Sequence, residues 1–226
     1  LGVAYGVNNA VGALSDEQAE AVLEAAVESG FSMVDTSTDY GLALARIGRF
    51  LRKHPGALEV VAKFHAAEPP EAIRGLKSYC RDMLGRAPEY SLLWTTGQDI
   101  AALDFDLVDG VTVYDVAEAE AVGPGFKMVQ VPASCLDGRM DAEIPHLQAK
   151  GKTVLVRSLL QQGLLAADPE VGPVGHHNCP ELATLARPYL RGLRAIAADH
   201  GLSVPELAAR WAWQLDCDVA IVAQSG

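Results

Sequence analysis

Val34-Asp35-Thr36-Ser37-Thr38-Asp39-Tyr40-Gly41 is the stretch on which the reading of this sequence turns. The apolar run before it, Phe31 to Val34, reads as a buried strand. The run after it, Gly41 to His54, sets Leu44, Ile47, Gly48 and Leu51 on one helical face, and its basic residues Arg46, Arg49, Arg52 and Lys53 read as a solvated face. Polar and ionisable groups therefore sit where a strand hands over to a helix, which in an α/β barrel is the face that carries chemistry. A second strand, Leu58 to Lys63, ends on a lysine. An acid (Asp35), a phenol (Tyr40) and an ammonium (Lys63) are thus delivered to the ends of neighbouring strands. Such a set can act as a proton donor. The Lys63 charge favours ionisation of the Tyr40 hydroxyl, and Asp35 keeps Lys63 a cation.

Outward from this stretch, strands and helices alternate. Ser15 caps the preceding helix with Gln18 at its third position, and Gly30 closes it. Glu71 to Leu84 reads as a helix with Ile73, Leu76, Tyr79 and Met83 inward. The strand Tyr90 to Trp94 follows, and further strands are expected over 108–113, 126–131, 153–158 and 219–223. A helix is expected over Ala142 to Lys150. Pro180 to His200 should be a helix with Leu182, Leu185, Leu190, Leu193, Ile196 and Ala197 inward, kinked or broken at Pro188. Ser203, Pro205 and Glu206 open the last helix. This alternation predicts a parallel sheet with helices outside. Periodicity does not separate a closed barrel from an open sheet, and no GxGxxG follows a first strand to favour the open one.

Composition narrows the class. The chain has 226 residues, half of them hydrophobic, and a formal net charge of −11. It can bury one substantial core and is expected to form a single domain over 1–226. Its acidity repels a phosphate backbone, so a nucleic-acid partner is not expected. No apolar run reaches membrane-spanning length, and no signal-like segment stands at the start. The cysteines Cys80, Cys135, Cys179 and Cys217 are far apart, which fits a reduced, cytoplasmic protein. His176, His177 and Cys179 lack partners at ligand spacing, so no metal is expected. Cys135 reads as a structural thiol.

The Asp35-Thr36…Tyr40-Gly41 block with Lys63, and the run Arg157-Ser158-Leu159-Leu160-Gln161-Gln162-Gly163-Leu164-Leu165, resemble the aldo-keto reductases. The likeness runs through nearly the whole chain. It is closest to the branch marked by Tyr5-Gly6 with a nearby asparagine and by Gln162-Gly163-Leu164-Leu165. The resemblance implies a (β/α)8 TIM barrel whose first strand and last helix are not present in this sequence. It also implies hydride transfer from NADPH, or less often NADH, to a small carbonyl substrate, with a hint toward sugar-like carbonyls and with Tyr40 as proton donor. Thr112 and Gln130 would hold the nicotinamide carboxamide. Ser158 and the backbone after it, with Leu160 and Gln162, would embrace the pyrophosphate. Arg157 would lie by the nicotinamide or the phosphates, and Ser225 by the adenosine end. Thr112 reads equally well as a buried threonine satisfied by backbone, and Arg157 as half of a structural ion pair.

Two departures matter. The helix after Tyr40 opens with Ala43-Leu44 where the family has Ser-Glu. More consequentially, Trp94 stands where the family has a histidine that orients the substrate carbonyl. Trp94 would then donate from its indole, or wall the pocket, or leave the histidine role to His65. Other readings stay open: a cofactor-binding pseudo-enzyme, or a lyase or isomerase using Tyr40 and Lys63 as acid and base.

Overall fold

The computed structural model describes residues 1–7, 9, 12–95, 97–104, 106–168, 170 and 180–222. The chain divides into two compact units. The first holds Leu1–Val3, Ala13–Val113 and Ala117–Val129, and the second Ala4–Gly12, Tyr114–Val116 and Gln130–Gly226.

The first unit alternates helix and strand: α1 (Asp16–Glu28), β1 (Met33–Ser37), α2 (Ala43–Lys53), β2 (Glu59–His65), α3 (Pro70–Leu84), β3 (Tyr90–Trp94) and β4 (Gly110–Thr112). The four strands pair in sequence order and in parallel. Local signals set the helix ends. Ser15 and Gln18 form a reciprocal capping box at the start of α1. At its end the N–H groups of Gly30 and Phe31 return to the carbonyls of Val27 and Ala26, with Gly30 at φ 85°. That backbone conformation is open to glycine and costly for a β-carbon.

Alternation sorts the strand side chains. Val60, Ala62, Phe64 and Leu93 share one face, buried with Leu44, Ile47, Phe50 and Leu51 of α2 and Ile73 and Leu84 of α3. The opposite face carries Asp35, Ser37, Lys63, His65, Trp94 and Thr112, each an even number of residues from a register-paired neighbour.

The strand starts share a device. The Glu89 carboxylate, just before β3, accepts the N–H of Val60 near the start of β2 at 2.7 Å. Asp109, just before β4, accepts the N–H of Ser91 at 2.9 Å. A carboxylate before one strand thus satisfies a backbone donor at the start of its neighbour and fixes their stagger.

The helix α4 (Val116–Glu120) is short, and β5 (Met128–Pro132) begins in the first unit and ends in the second. The second unit continues with α5 (Glu143–Ala149), β6 (Thr153–Arg157), α6 (Pro180–Asp199), α7 (Val204–Ala212) and β7 (Val219–Ala220). Here β6 and β7 pair in parallel. Asp218, just before β7, accepts the N–H of Val154 at 2.7 Å, repeating the device of the first unit. Ser203 and Glu206 form the capping box of α7. Val7, Leu164, Leu165, Ala167, Ala186, Leu190 and Ala208 form one buried core cluster of this unit.

Several sequence expectations need correction. β1 runs on to Ser37, so Asp35 lies inside the strand, while Phe31 is exposed and precedes it. Arg46 is buried and does not belong to a solvated basic face. It donates to Asp16 at 2.8 Å and to the carbonyls of Leu1 and Leu14, which replace its hydration. Tyr79 is exposed, and Cys80 takes the inward position on α3. On α6 the helix runs unbroken through Pro188, and Leu185 and Ile196 point outward. Ala43 and Leu44 are buried at the start of α2, whose N-cap residue Leu42 offers no side-chain cap.

Candidate active site

The central group lies in the first unit. Ser37, the last residue of β1, is register-paired with Lys63, and Asp35 lies two residues earlier on the same face. Lys63 Nζ meets Asp35 Oδ1 at 2.6 Å, with side chains only 7% and 11% exposed. Burial of both charges makes this a charge-assisted bond in a poorly solvated setting. The Lys63 ammonium lies 5.5 Å from the centroid of the Tyr40 ring. Tyr40 itself is 39% exposed, so its phenol is open to solvent while the ion pair beside it is not.

The turn that carries Tyr40 is held from two sides. The N–H of Thr38 donates to the Lys63 carbonyl at 3.3 Å, and the Ser37 hydroxyl donates to the same oxygen at 3.2 Å. The Tyr40 N–H closes back on the Ser37 carbonyl at 3.1 Å. Gly2 lies directly against this turn. A β-carbon there would sit 1.8 Å from the Tyr40 carbonyl oxygen. Gly41 follows at φ 53° and accommodates the reversal.

Beyond Lys63, the same face presents His65, Trp94 and Thr112 in one register row. The His65 and Trp94 rings meet edge to face, with centroids 4.2 Å apart. Trp94 Nε1 is closed off from solvent and has no hydrogen-bond partner among the described residues. Thr112 is buried.

The second unit holds most of the residues expected at a cofactor. Gln130 is fully buried within β5. Arg157, the last residue of β6, stacks its guanidinium on the Tyr114 ring at 4.4 Å and donates to the Ser158 hydroxyl at 3.0 Å. The pairing of Tyr114 with Arg157 gave no signal in the sequence, because the two lie 43 positions apart. After Ser158 the backbone turns sharply. Ser158, Gln161, Gln162 and Gly163 have φ of 65°, 48°, 57° and 88°. Within this turn Gln161 and Gly163 direct their N–H groups to the carbonyls of Ser158 and Leu160. The Gln161 amide donates to the Ser134 hydroxyl at 2.9 Å, a contact the sequence did not suggest. The Gln162 carbonyl accepts the N–H of Val7 at 2.8 Å. The Leu160 side chain packs on the core of the unit, so only its backbone is available to a ligand. Ser225 lies outside the described residues, as do His176, His177 and Cys179.

Cys135 packs on the same core, and burial pushes its thiol pKa up, as befits a structural thiol. Arg139 beside Asp137 holds that carboxyl below the usual carboxylate range. Glu20, Glu24 and His54 bring three potential ligand atoms within 4.8 Å on the surface, where the Lys53 ammonium already pairs with Glu20. Among the described residues no helix is long and apolar enough to cross a membrane.

The model described as the Aldo/keto reductase family matches residues 109–225. Comparison with curated protein sequences gave no match. Among solved structures, the chain is similar to the glycerol dehydrogenase of Gluconobacter oxydans at 17% identity and a TM-score of 0.73, over 92% of this chain and 77% of that one. It is similar to an aldo-keto reductase from Klebsiella pneumoniae, solved in complex with NADPH, at 17% identity and a TM-score of 0.67, over 100% of this chain and 80% of that one. An aldo-keto reductase from Bacillus halodurans in its apo form gives 16% identity and a TM-score of 0.65, over 100% and 80%. These likenesses establish the fold as α/β of the (β/α)8 type, with seven strands among the described residues, as the sequence reading expected.

Proposed function

Because the chain belongs to the aldo/keto reductase family, we propose that it reduces an aldehyde or ketone with hydride from NADPH. The observation that carries this reading is the buried Lys63–Asp35 pair, at 2.6 Å, beside the exposed phenol of Tyr40. A carbonyl that gains hydride at carbon develops negative charge at oxygen, and that oxygen needs a proton. Tyr40 gives its phenolic proton to it, so the C=O π bond is replaced by new C–H and O–H bonds. The tyrosinate left behind is stabilised by the Lys63 ammonium and takes a proton back from solvent. Asp35 fixes the position of the ammonium.

The chemistry of several residues in the second unit supports a nicotinamide dinucleotide as the ligand. There Gln130 is a buried polar group on a strand, of the type that pairs with a carboxamide. Arg157, with the Ser158 hydroxyl, offers charge and a donor suited to a pyrophosphate. The Gln161 and Gly163 N–H groups are used inside their own turn, so anion binding there falls to Arg157, Ser158 and the backbone around Leu160 and Gln162. Bound in this way, the cofactor supplies the hydride. The similarity to a glycerol dehydrogenase makes polyhydroxylated, sugar-like carbonyls the first substrates to try.

The test is Tyr40→Phe. NADPH fluorescence on titration should give the same dissociation constant for variant and wild type, with NADH as the comparison nucleotide. Turnover of a small hydroxyaldehyde should fall by a factor of about 10² or more, the scale of a lost general acid. A variant that keeps the wild-type rate would remove Tyr40 as proton donor. A wild type that binds neither nucleotide would leave a lyase or isomerase as the better reading.

A further inference from the structure

We propose that Gln161 is a positioning residue for the cofactor: through its side-chain amide, the loop after β5 holds the turn after β6 in the left-handed form that receives a pyrophosphate. This rests on the reductase reading and deepens it, by naming the contact that shapes its anion-binding turn. All the groups concerned lie in the second unit.

The turn needs holding. Ser158, Gln161 and Gln162 have φ of 65°, 48° and 57°, and none of them is glycine. A β-carbon crowds the backbone at such angles, so the conformation persists only where its surroundings fix it. The two glutamines of the turn divide the work. Gln162 is exposed, so its side chain is open to a ligand. Gln161 is half-buried, and its Nε2 donates to the Ser134 hydroxyl at 2.9 Å. It therefore touches protein, and it acts on the nucleotide through the backbone that it fixes.

The anchor is rigid for reasons of its own. The Ala133 N–H donates to the Arg157 carbonyl at 3.0 Å, so the two loops leave the neighbouring strands β5 and β6 level with each other. Ser134 and Asp137 then exchange backbone bonds, at 3.2 and 2.8 Å, and the Leu136 N–H donates to Ser134 Oγ at 3.2 Å. Arg139 grips the Asp137 carboxylate through Nε, at 2.8 and 3.0 Å, and through Nη2, at 2.6 Å. The Arg139 guanidinium and, less strongly, the Gln161 side chain hold the Asp137 carboxyl below the usual carboxylate range. Ser134 is 1% exposed, so water does not compete for the bond from Gln161.

A double-mutant cycle on nucleotide affinity tests this, with NADPH titrated by fluorescence and circular dichroism to check the fold. Gln161→Leu keeps the bulk and removes the amide. It should raise the NADPH dissociation constant by about five- to tenfold, the effect of one hydrogen bond. With NADPH saturating, kcat for glyceraldehyde should stay within twofold of wild type, because only binding has been weakened. Ser134→Ala should act in the same way, and Gln161→Leu/Ser134→Ala should weaken binding no further than the worse single variant. Gln161→Gly also loses the amide but adopts a positive φ unaided. It should therefore bind NADPH at least about twofold more tightly than Gln161→Leu, an ordering that a merely structural contact would not produce. A Gln161→Leu variant within twofold of the wild-type affinity overturns the assignment. So do single effects that multiply in the double variant, or a Gly variant that binds no more tightly than Leu. Should Gln161→Leu fail to fold, a Ser134→Ala variant within twofold of the wild-type affinity overturns it equally. Each of these leaves the reductase reading standing if the wild type binds NADPH and turns over. A wild type that binds neither NADPH nor NADH ends both.

Discussion

Removing the Lys63–Asp35 pair in two ways should separate its cost to the fold from its use. At 2.6 Å, and with an effective dielectric constant of about 20, the direct attraction is about 6 kcal/mol. Against it stands the loss of hydration of two side chains 7% and 11% exposed, several kcal/mol for each ion. The two contributions nearly cancel, so the intact pair adds little net stability. Either half alone is different: Asp35→Leu leaves a buried ammonium without its counter-ion, and Lys63→Met leaves a carboxylate so. Each should cost about 3–5 kcal/mol, a large fraction of the stability of an ordinary domain. The double variant Asp35→Leu/Lys63→Met should cost less than about 1 kcal/mol. Urea unfolding of wild type and the three variants closes the cycle, with a coupling energy of several kcal/mol. Reductase turnover should be lost in all three variants, including the stable one. A double variant that costs the sum of the singles would show that the charges do not compensate each other, and the account of the pair would be wrong.

Other consequences are local. Gly48→Ala on α2 puts a β-carbon 2.0 Å from the Met83 carbonyl oxygen of α3. It should therefore lower the urea midpoint by the equivalent of about 1–3 kcal/mol even though alanine is the better helix former. Ser203→Ala removes one side of the capping box on α7 and should cost about 1 kcal/mol in thermal or urea unfolding. Burial pushes the Cys80 thiol from its ordinary 9.0 to about 11. Iodoacetamide at pH 8 should spare it in the folded protein and label it in urea, as read by peptide mass spectrometry. The folded state retains this proton longer than the unfolded chain does. The stability it contributes is therefore complete below pH about 9 and lost as the pH rises through about 11. Urea midpoints that do not fall across that interval would contradict this.

What the sequence disclosed was mostly local. Ser15 with Gln18 and Ser203 with Glu206 announce their helices because a capping box is complete within four residues. Gly30 marks a helix end because the turn it makes needs a positive φ. Asp35, Tyr40 and Lys63 could be grouped from order alone, since strand ends bring distant positions level, and the structure brings these three together. What stayed hidden depends on long-range pairing. Arg46 looked like any helix-surface arginine because its partners, Asp16 and the carbonyls of Leu1 and Leu14, lie on other segments. The stacking of Arg157 on Tyr114 is of the same kind. The apolar pattern of α6 misled at Leu185 and Ile196, because periodicity says which residues could be buried and not whether a neighbour covers them.

The carboxylates Glu89, Asp109 and Asp218 have a bearing on how such a chain can change. A slip of one residue between β2 and β3 would turn Lys63 and His65 away from the face they share with Trp94. The acids act at the opposite ends of these strands, so alignment is anchored far from the reacting groups. The residues at the other ends can then be exchanged, as a histidine–tryptophan pairing there illustrates, without the ladder losing its place. Variation in chemistry is buffered from variation in architecture, and libraries aimed at new substrates should keep the acids and vary the opposite ends.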